Sequence, residues 1–218
     1  MKKVLTLAVA AALAGGAAMS HAYEPGDWIL RVGATTVAPD ADSDEVPGLG
    51  VTVDVDDNTQ LGIIPAWMVT EHWGLELLAA TPFSHDIDVN EIDAQAGETK
   101  HLPPTLTVQW YPRGHKDGWQ PYFGVGLNYT YFFDEEADSD LEGIVGKADL
   151  DLDDSFGLSA SAGVDIPFGE NWMFNAGVWY IDIDTTATVT LREMDNAKVK
   201  FDVDIDPWVY NIGIAYKF

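Results

Sequence analysis

The sequence contains no cysteine, so neither a disulfide framework nor a lipid-modified cysteine anchor is available. Basic residues are scarce. Eleven Lys and Arg stand against 36 Asp and Glu, a formal net charge of −25. A surface of that sign repels phosphate backbones and removes nucleic acid from the partners the chain can hold. Beyond residues 1–22 no apolar run approaches the roughly 20 residues that a membrane helix requires. Sustained helical periodicity is missing too, as is a Gly-x-Ser-x-Gly nucleophile turn. Hydrolysis or acyl transfer needs a nucleophile held against a base. The histidines after residue 22 are His72, His85, His101 and His115, in turns or beside acidic stretches, and Ser84 is the one serine near any of them. The expectation is a protein that is not an enzyme and has no cofactor.

What is present is aromatic, apolar and glycine-rich: eight Trp, eight Tyr, nine Phe and 20 Gly, with 47% of residues apolar. Residues 1–22 have the plan of a secretory signal peptide, with Lys2 and Lys3 before an apolar run and Ser20-His21-Ala22 as a small-x-small cleavage site. Cleavage after Ala22 leaves residues 23–218, read as a single domain without linkers or repeats. At the other end, every second residue from Trp208 is apolar or aromatic: Tyr210, Ile212, Ile214, Tyr216, Phe218. Val209, Asn211, Gly213, Ala215 and Lys217 between them are smaller or more polar. Such alternation marks a strand with one face in an apolar medium, and aromatics at both ends of the row suit two lipid–water borders. A soluble sheet ending on that strand would present an aggregation-prone edge. Pairing it with the first strand of a closed barrel removes the edge.

The same period recurs seven more times. Trp28, Leu30, Val32 and Ala34 oppose Arg31 and Gly33; Trp73, Leu75 and Leu77 oppose Glu76 and Leu78. Further rows begin at Leu61, Leu102, Phe123, Phe156 and Phe174. Short turns alternate with long acidic stretches (residues 40–57, 86–99, 134–154 and a last loop near 192–197). The chain therefore reads as all-β, an eight-stranded antiparallel transmembrane β-barrel with its acidic loops on the outer side. Pro103-Pro104 falls inside the fourth strand. Proline supplies no ladder N–H, and two in succession are expected to leave carbonyls unpartnered and to mark a lateral opening in the wall. Arg31 and Glu76 point inward from neighbouring early strands and are expected to form an ion pair inside the lumen. Asp138, Asp140, Glu142 and Asp149 imitate part of a calcium loop. Its fifth position is Glu142 where Asp or Asn is needed, its twelfth is Asp149 where Glu is needed, and flanking helices are not expected, so no metal site is assigned.

Several stretches resemble the OmpW family of outer-membrane proteins (OmpW/OprG-like): Asn58-Thr59-Gln60-Leu61-Gly62, Glu76-Leu77-Leu78-Ala79-Ala80-Thr81-Pro82-Phe83, Leu102-Pro103-Pro104-Thr105, Val178-Trp179-Tyr180-Ile181-Asp182-Ile183-Asp184-Thr185 and Asp206-Pro207-Trp208. The resemblance implies a Gram-negative outer-membrane barrel, exported through the periplasm. Passive uptake of small hydrophobic solutes would follow a narrow, largely apolar interior. It also implies that Leu78 and Trp179 form an apolar constriction in the ligand path. Implied partners are outer-membrane lipids with lipopolysaccharide, and bacteriocins at the loops, although these loops are more acidic than the family's pattern. A structural or receptor barrel without transport is the alternative reading. Tyr216-Lys217-Phe218 resembles the terminal signal read by the barrel-assembly machinery. Deleting Phe218 is expected to lower the folded protein in the outer membrane. Unchanged heat-modifiable mobility on gels would contradict that role.

Overall fold

The structure, a computed structural model, describes residues 23–43, 50–89, 94–114 and 116–218. The expected signal segment and His115 lie outside the described residues. In chain order the strands are β1 (Trp28–Ala38), β2 (Asp42–Ser43), β3 (Val53–Val55), β4 (Asn58–Met68) and β5 (Trp73–Leu78). Next come β6 (Phe83–Val89), β7 (Ala94–Leu102), β8 (Thr105–Trp110) and β9 (Gln120–Ala137). Helix α1 (Ser139–Val145) precedes β10 (Ala148–Leu152), β11 (Ser155–Pro167), β12 (Trp172–Ile181), β13 (Asp184–Leu191), β14 (Ala197–Asp204) and β15 (Trp208–Lys217).

Eight of these, β1, β4, β5, β8, β9, β11, β12 and β15, form one antiparallel ring. The first and last strands close it in register from Ile29↔Lys217 to Ala38↔Trp208. No sheet edge is left facing lipid, which is the condition a membrane sheet must meet. No described helix is long and apolar enough to cross a membrane, so the crossing falls to these strands. Their outward faces carry the rows read from the sequence. Trp28, Trp67, Trp73, Trp110, Phe123 and Phe174 ring the end with the short turns, and Tyr129, Tyr131, Tyr180, Trp208 and Tyr210 ring the other. Aliphatics such as Ile63, Val108, Leu127 and Ile212 fill the band between the rings. Aromatic girdles around an aliphatic band are the pattern that a bilayer selects.

The long acidic stretches depart from expectation. They are not simple loops: residues 83–102, 148–152 and 184–204 are mostly strand. Here the alternation is inverted. Phe83, His85, Ile87 and Val89 turn inward on β6 while Asp86 and Asp88 face out, and on β14 Phe201 and Val203 turn inward beside outward Lys200, Asp202 and Asp204. A strand above the membrane has water outside, so its apolar residues take the inner face. Strands β7, β6 and β3 continue the wall upward from β9, and a second sheet, β10-β13-β14-β2, stands across from them. Phe83, Ile87, Phe132, Leu150, Phe201, Val203 and Ile205 meet between the two in one apolar cluster. The calcium-like stretch is likewise different: residues 139–142 are taken up in α1, whose Glu142 N–H donates to the carbonyl of the preceding Asp138 at 3.0 Å.

Closure depends on close backbone approach at one point. Gly213 lies opposite Gly33, and a Cβ on Gly213 would sit 2.1 Å from the Val32 carbonyl oxygen. Replacing Gly213 with Val is therefore expected to abolish most of the heat-modifiable folded species. Folding at wild-type yield would show that β1 and β15 separate more freely than this spacing implies.

Candidate functional site

The barrel interior divides into two levels with opposite chemistry. The lower level is built by inward residues of the wall strands and centres on Arg31 of β1, which is fully buried. A buried guanidinium requires compensating charge and a partner for each N–H. Nε and Nη2 donate to Asp165 Oδ1 and Oδ2 at 3.1 and 2.7 Å. Nη1 donates to Glu76 Oε2 at 2.7 Å, and Nη2 also donates to the Tyr111 hydroxyl at 3.0 Å. The Tyr122 ring lies 4.5 Å from the guanidinium carbon. Asp165 in turn accepts from the Tyr23 hydroxyl at 2.7 Å and Asn175 Nδ2 at 2.8 Å. Asn211 and Thr35 carry the chain of bonds across neighbouring strands back to β1, both at 2.9 Å. Beneath it Tyr23, Met68, Tyr111, Tyr122 and Met173 pack together and fill the end toward the short turns.

Arg31 and Glu76 thus meet, although their strands are not neighbours as expected but are separated by β4, and they do so within a larger network than an isolated pair. The interior at this level is polar and filled, which departs from the largely apolar interior implied by the family resemblance. An eight-stranded barrel is narrow enough for side chains to fill it, and charges placed there have only one another as partners.

Trp179 and Leu78 sit at the boundary between levels, both buried and both within the upper apolar cluster. The Trp179 indole Nε1 donates to Glu76 Oε1 at 3.3 Å, so the ring rests directly on the ionic floor. Gly177 makes the space: a Cβ there would lie 2.6 Å from the Trp179 ring. Above them is an apolar chamber of about 50 Å³ lined by residues including Ile87, Phe132, Leu150, Phe201 and Ile205. Two histidines are buried at one side of that chamber. His85 and His101 approach to 3.2 Å between their Nε2 atoms, with Phe83 and Phe132 packed beside His101. His85 Nδ1 bonds the Asp56 carbonyl, which can only accept, so Nδ1 carries a proton and the neutral ring offers its Nε2 lone pair to His101.

The proline pair sits where the wall changes partners. On one side β8 pairs with β5 up to Leu78↔Thr105, and the next pairing is Phe83↔His101 on β7. The connecting residues are held instead by β4, through Ile63 N–H to the Ala79 carbonyl at 2.8 Å and Thr81 N–H to the Leu61 carbonyl at 3.0 Å. Leu102, Pro103 and Pro104 therefore have no registered partner strand on that side, and the wall has a seam. The carbonyls expected to be unpartnered are not. The Tyr129 N–H donates to Pro104 at 3.1 Å, and the Thr105 hydroxyl donates to Pro103 at 3.1 Å. Proline removes a donor and leaves the acceptor intact.

At the outer rim, ligand atoms of Asp182, Asp184 and Asp206 lie within 4.8 Å of one another. Desolvation, then the Asp182, Asp204 and Asp206 charges, push the Asp184 carboxyl up. Asp206 is already engaged by the Tyr180 hydroxyl and the Ile183 N–H, and this cluster stands apart from the chamber. Sequence reasoning singled out Arg31, Glu76, Leu78, Trp179, Pro103 and Pro104. It missed Asp165, Tyr23 and the His85–His101 pair. An inward Asp in a strand of small residues was the available signal for Asp165.

Comparison with known proteins agrees with this architecture. A family model described as the OmpW family matches residues 24–218. Outer membrane protein W of Vibrio cholerae is 44% identical over 216 residues, covering 97% of both chains. The crystal structure of the outer membrane protein OprG from Pseudomonas aeruginosa superposes with a TM-score of 0.85 at 42% identity, covering 91% of this chain and 99% of that one. More distantly, the Pseudomonas aeruginosa "Dibenzothiophene metabolism operon protein PahQ" is 25% identical over 203 residues, covering 89% of this chain and 90% of its own.

The histidine pair makes the chamber sensitive to acid. Burial, then the neighbouring His85, pushes His101 down to about 3, and burial lowers His85 as well. An unfolded imidazole protonates near pH ~6.5, so as pH falls the unfolded state binds its proton first. Stability is full above that value and is lost below it, by up to about 1.4 kcal/mol per pH unit for each such imidazole. Protection factors of the β6 and β7 amides, with the slower intrinsic exchange in acid divided out, are therefore expected to fall from pH 7.5 to 5, and His101→Phe to flatten that dependence. Identical pH profiles for the two proteins would show that His101 is not the source.

Proposed function

The chain belongs to the OmpW family and is an outer-membrane β-barrel, and we propose that it admits small hydrophobic molecules passively, through the upper chamber and out sideways at the Pro103–Pro104 seam. The observation that carries this reading is the juxtaposition of an apolar chamber, a filled ionic floor and an interrupted ladder. A solute arriving from outside meets apolar walls, is stopped below by Trp179 over the Arg31 network, and has the seam beside it. Leu78 and Trp179 then act as the constriction that turns the path from axial to lateral. A relative named for dibenzothiophene metabolism supports an apolar cargo.

Other partners fit the same picture. The aromatic girdles seat the wall in outer-membrane lipid, with the acidic upper sheets above the lipopolysaccharide surface and available to bacteriocins. Tyr216 and Phe218 present the closing strand to the assembly machinery. The relatives in Vibrio cholerae and Pseudomonas aeruginosa are named as outer membrane proteins.

The test is uptake into liposomes for matched apolar and hydrophilic solutes, with wild type and Pro103→Ala/Pro104→Ala. Residue 104 faces β9, so an N–H there reaches toward Tyr129 and contributes about 0.5–1.5 kcal/mol once paired. An N–H at 103 faces the seam and gives it a donor. Wild type is expected to pass only apolar solutes, and the double variant to resist urea better while passing them several-fold more slowly. A stabilised variant that transports at the wild-type rate would refute the lateral route. No uptake of any solute by wild type would favour the structural or receptor reading.

A further inference from the structure

The chamber's accessible lining is apolar, and polar side chains of β6 and β7 are buried directly behind it. Thr99 stands directly opposite His85 across the β6–β7 pair, and His101 follows two residues on along the same inward face. All three are almost fully buried and line the chamber. The histidines satisfy one another through the relay from His101 to His85 to the Asp56 carbonyl. Thr99 does not share in it, since its hydroxyl is buried without a hydrogen-bond partner. A buried hydroxyl in that condition costs free energy that a ligand's polar atom would recover.

We propose that the chamber selects apolar molecules carrying one small neutral hydrogen-bonding group, such as an alcohol, aldehyde or ketone, which Thr99 receives beside the His85–His101 pair. This deepens the uptake reading and rests on it. Electrostatics decides between neutral and anionic head groups. The imidazoles are kept uncharged by burial, and the carboxylates of Asp56, Asp57 and Asp86 act on His85. No cation is offered at that end, and a negative head group meets like charge. Size follows from the volume: about 50 Å³ admits only a small solute. The solute is a short chain or small ring.

The probes are n-pentane, 1-butanol and butyrate, near-equal in size. Binding to the folded protein in nanodiscs is followed by the His101 ring resonances, with concentrations corrected for partition into lipid. Butanol is expected to bind about five-fold more tightly than pentane, the factor of one net hydrogen bond, and butyrate more weakly than butanol. Thr99→Val is expected to erase butanol's advantage without weakening pentane, and Thr99→Ser to keep it. Equal binding of pentane and butanol, or an advantage that survives in Thr99→Val, overturns the proposal. Tightest binding by butyrate overturns the preference for neutral groups. If no probe shifts the His101 signals, the chamber is not a solute site, and the uptake reading falls with it. If the probes bind as expected but liposome uptake fails, only the transport reading falls.

Discussion

The outside of this barrel meets two solvents, and that constraint organises the rest. Through the membrane band the strands must turn apolar residues outward, which leaves the narrow interior to small and polar ones. Above the band the outer solvent is water and the same tube inverts. The change can be followed on single pairs of strands. On β9, Val125, Leu127 and Tyr129 face lipid while Asn128 and Thr130 are buried. On the β6–β7 hairpin attached above it, Ser84, Asp86 and Glu98 face out or partly out while Phe83, Ile87 and His101 are buried. The chamber is the product of that inversion, because the upper strands turn into the tube the apolar side chains excluded from their watery outer face.

The ionic floor follows from the same constraint. Inward positions at membrane depth cannot reach water, so the Arg31 charge is met by Asp165 and Glu76 at 2.7 Å each. The neutral donors Tyr23, Asn175 and Trp179 occupy remaining acceptor positions on those carboxylates. The bonds join residues of β1, β5, β11 and β12 and so tie several parts of the ring across its centre. Specificity of closure and a filled interior come together.

Legibility in the sequence tracked how local each signal is. Outward rows are period-two patterns within about ten residues, and the eight strands and their girdles could be read directly. Arg31 and Glu76 could be paired because their strands follow closely in sequence. Asp165 could not, since 134 residues separate it from Arg31 and only ring closure brings β11 across the lumen from β1. The upper sheets were hidden by composition. Asp86, Asp88, Asp202 and Asp204 look like solvated loop residues until the intervening Ile87, Phe201 and Val203 are read as the face that matters. Reading those stretches as loops also hid His85 and His101, which meet only because β6 and β7 pair as a hairpin.

Energetics distinguishes the two routes that the proposed uptake could take out of the chamber. The axial way requires Trp179 to leave Glu76 and the Arg31 contacts to part inside a medium with no water. Breaking one partner of a buried ion pair typically costs about 3–5 kcal/mol, and here two carboxylates and their donors are involved. The lateral way crosses a line where the ladder already lacks donors. Leu102, Pro103 and Pro104 have no strand partner on the seam side, while the facing residues are bonded to β4. Widening the seam therefore sacrifices few hydrogen bonds, each worth about 0.5–1.5 kcal/mol net, and an apolar solute crossing it leaves apolar walls for lipid. The same prolines that cost the wall its continuity leave the outward carbonyl of Pro104 satisfied by Tyr129. The wall is thus weakened along one side of one strand and kept whole on the other, which favours a local displacement at the seam over loss of the barrel.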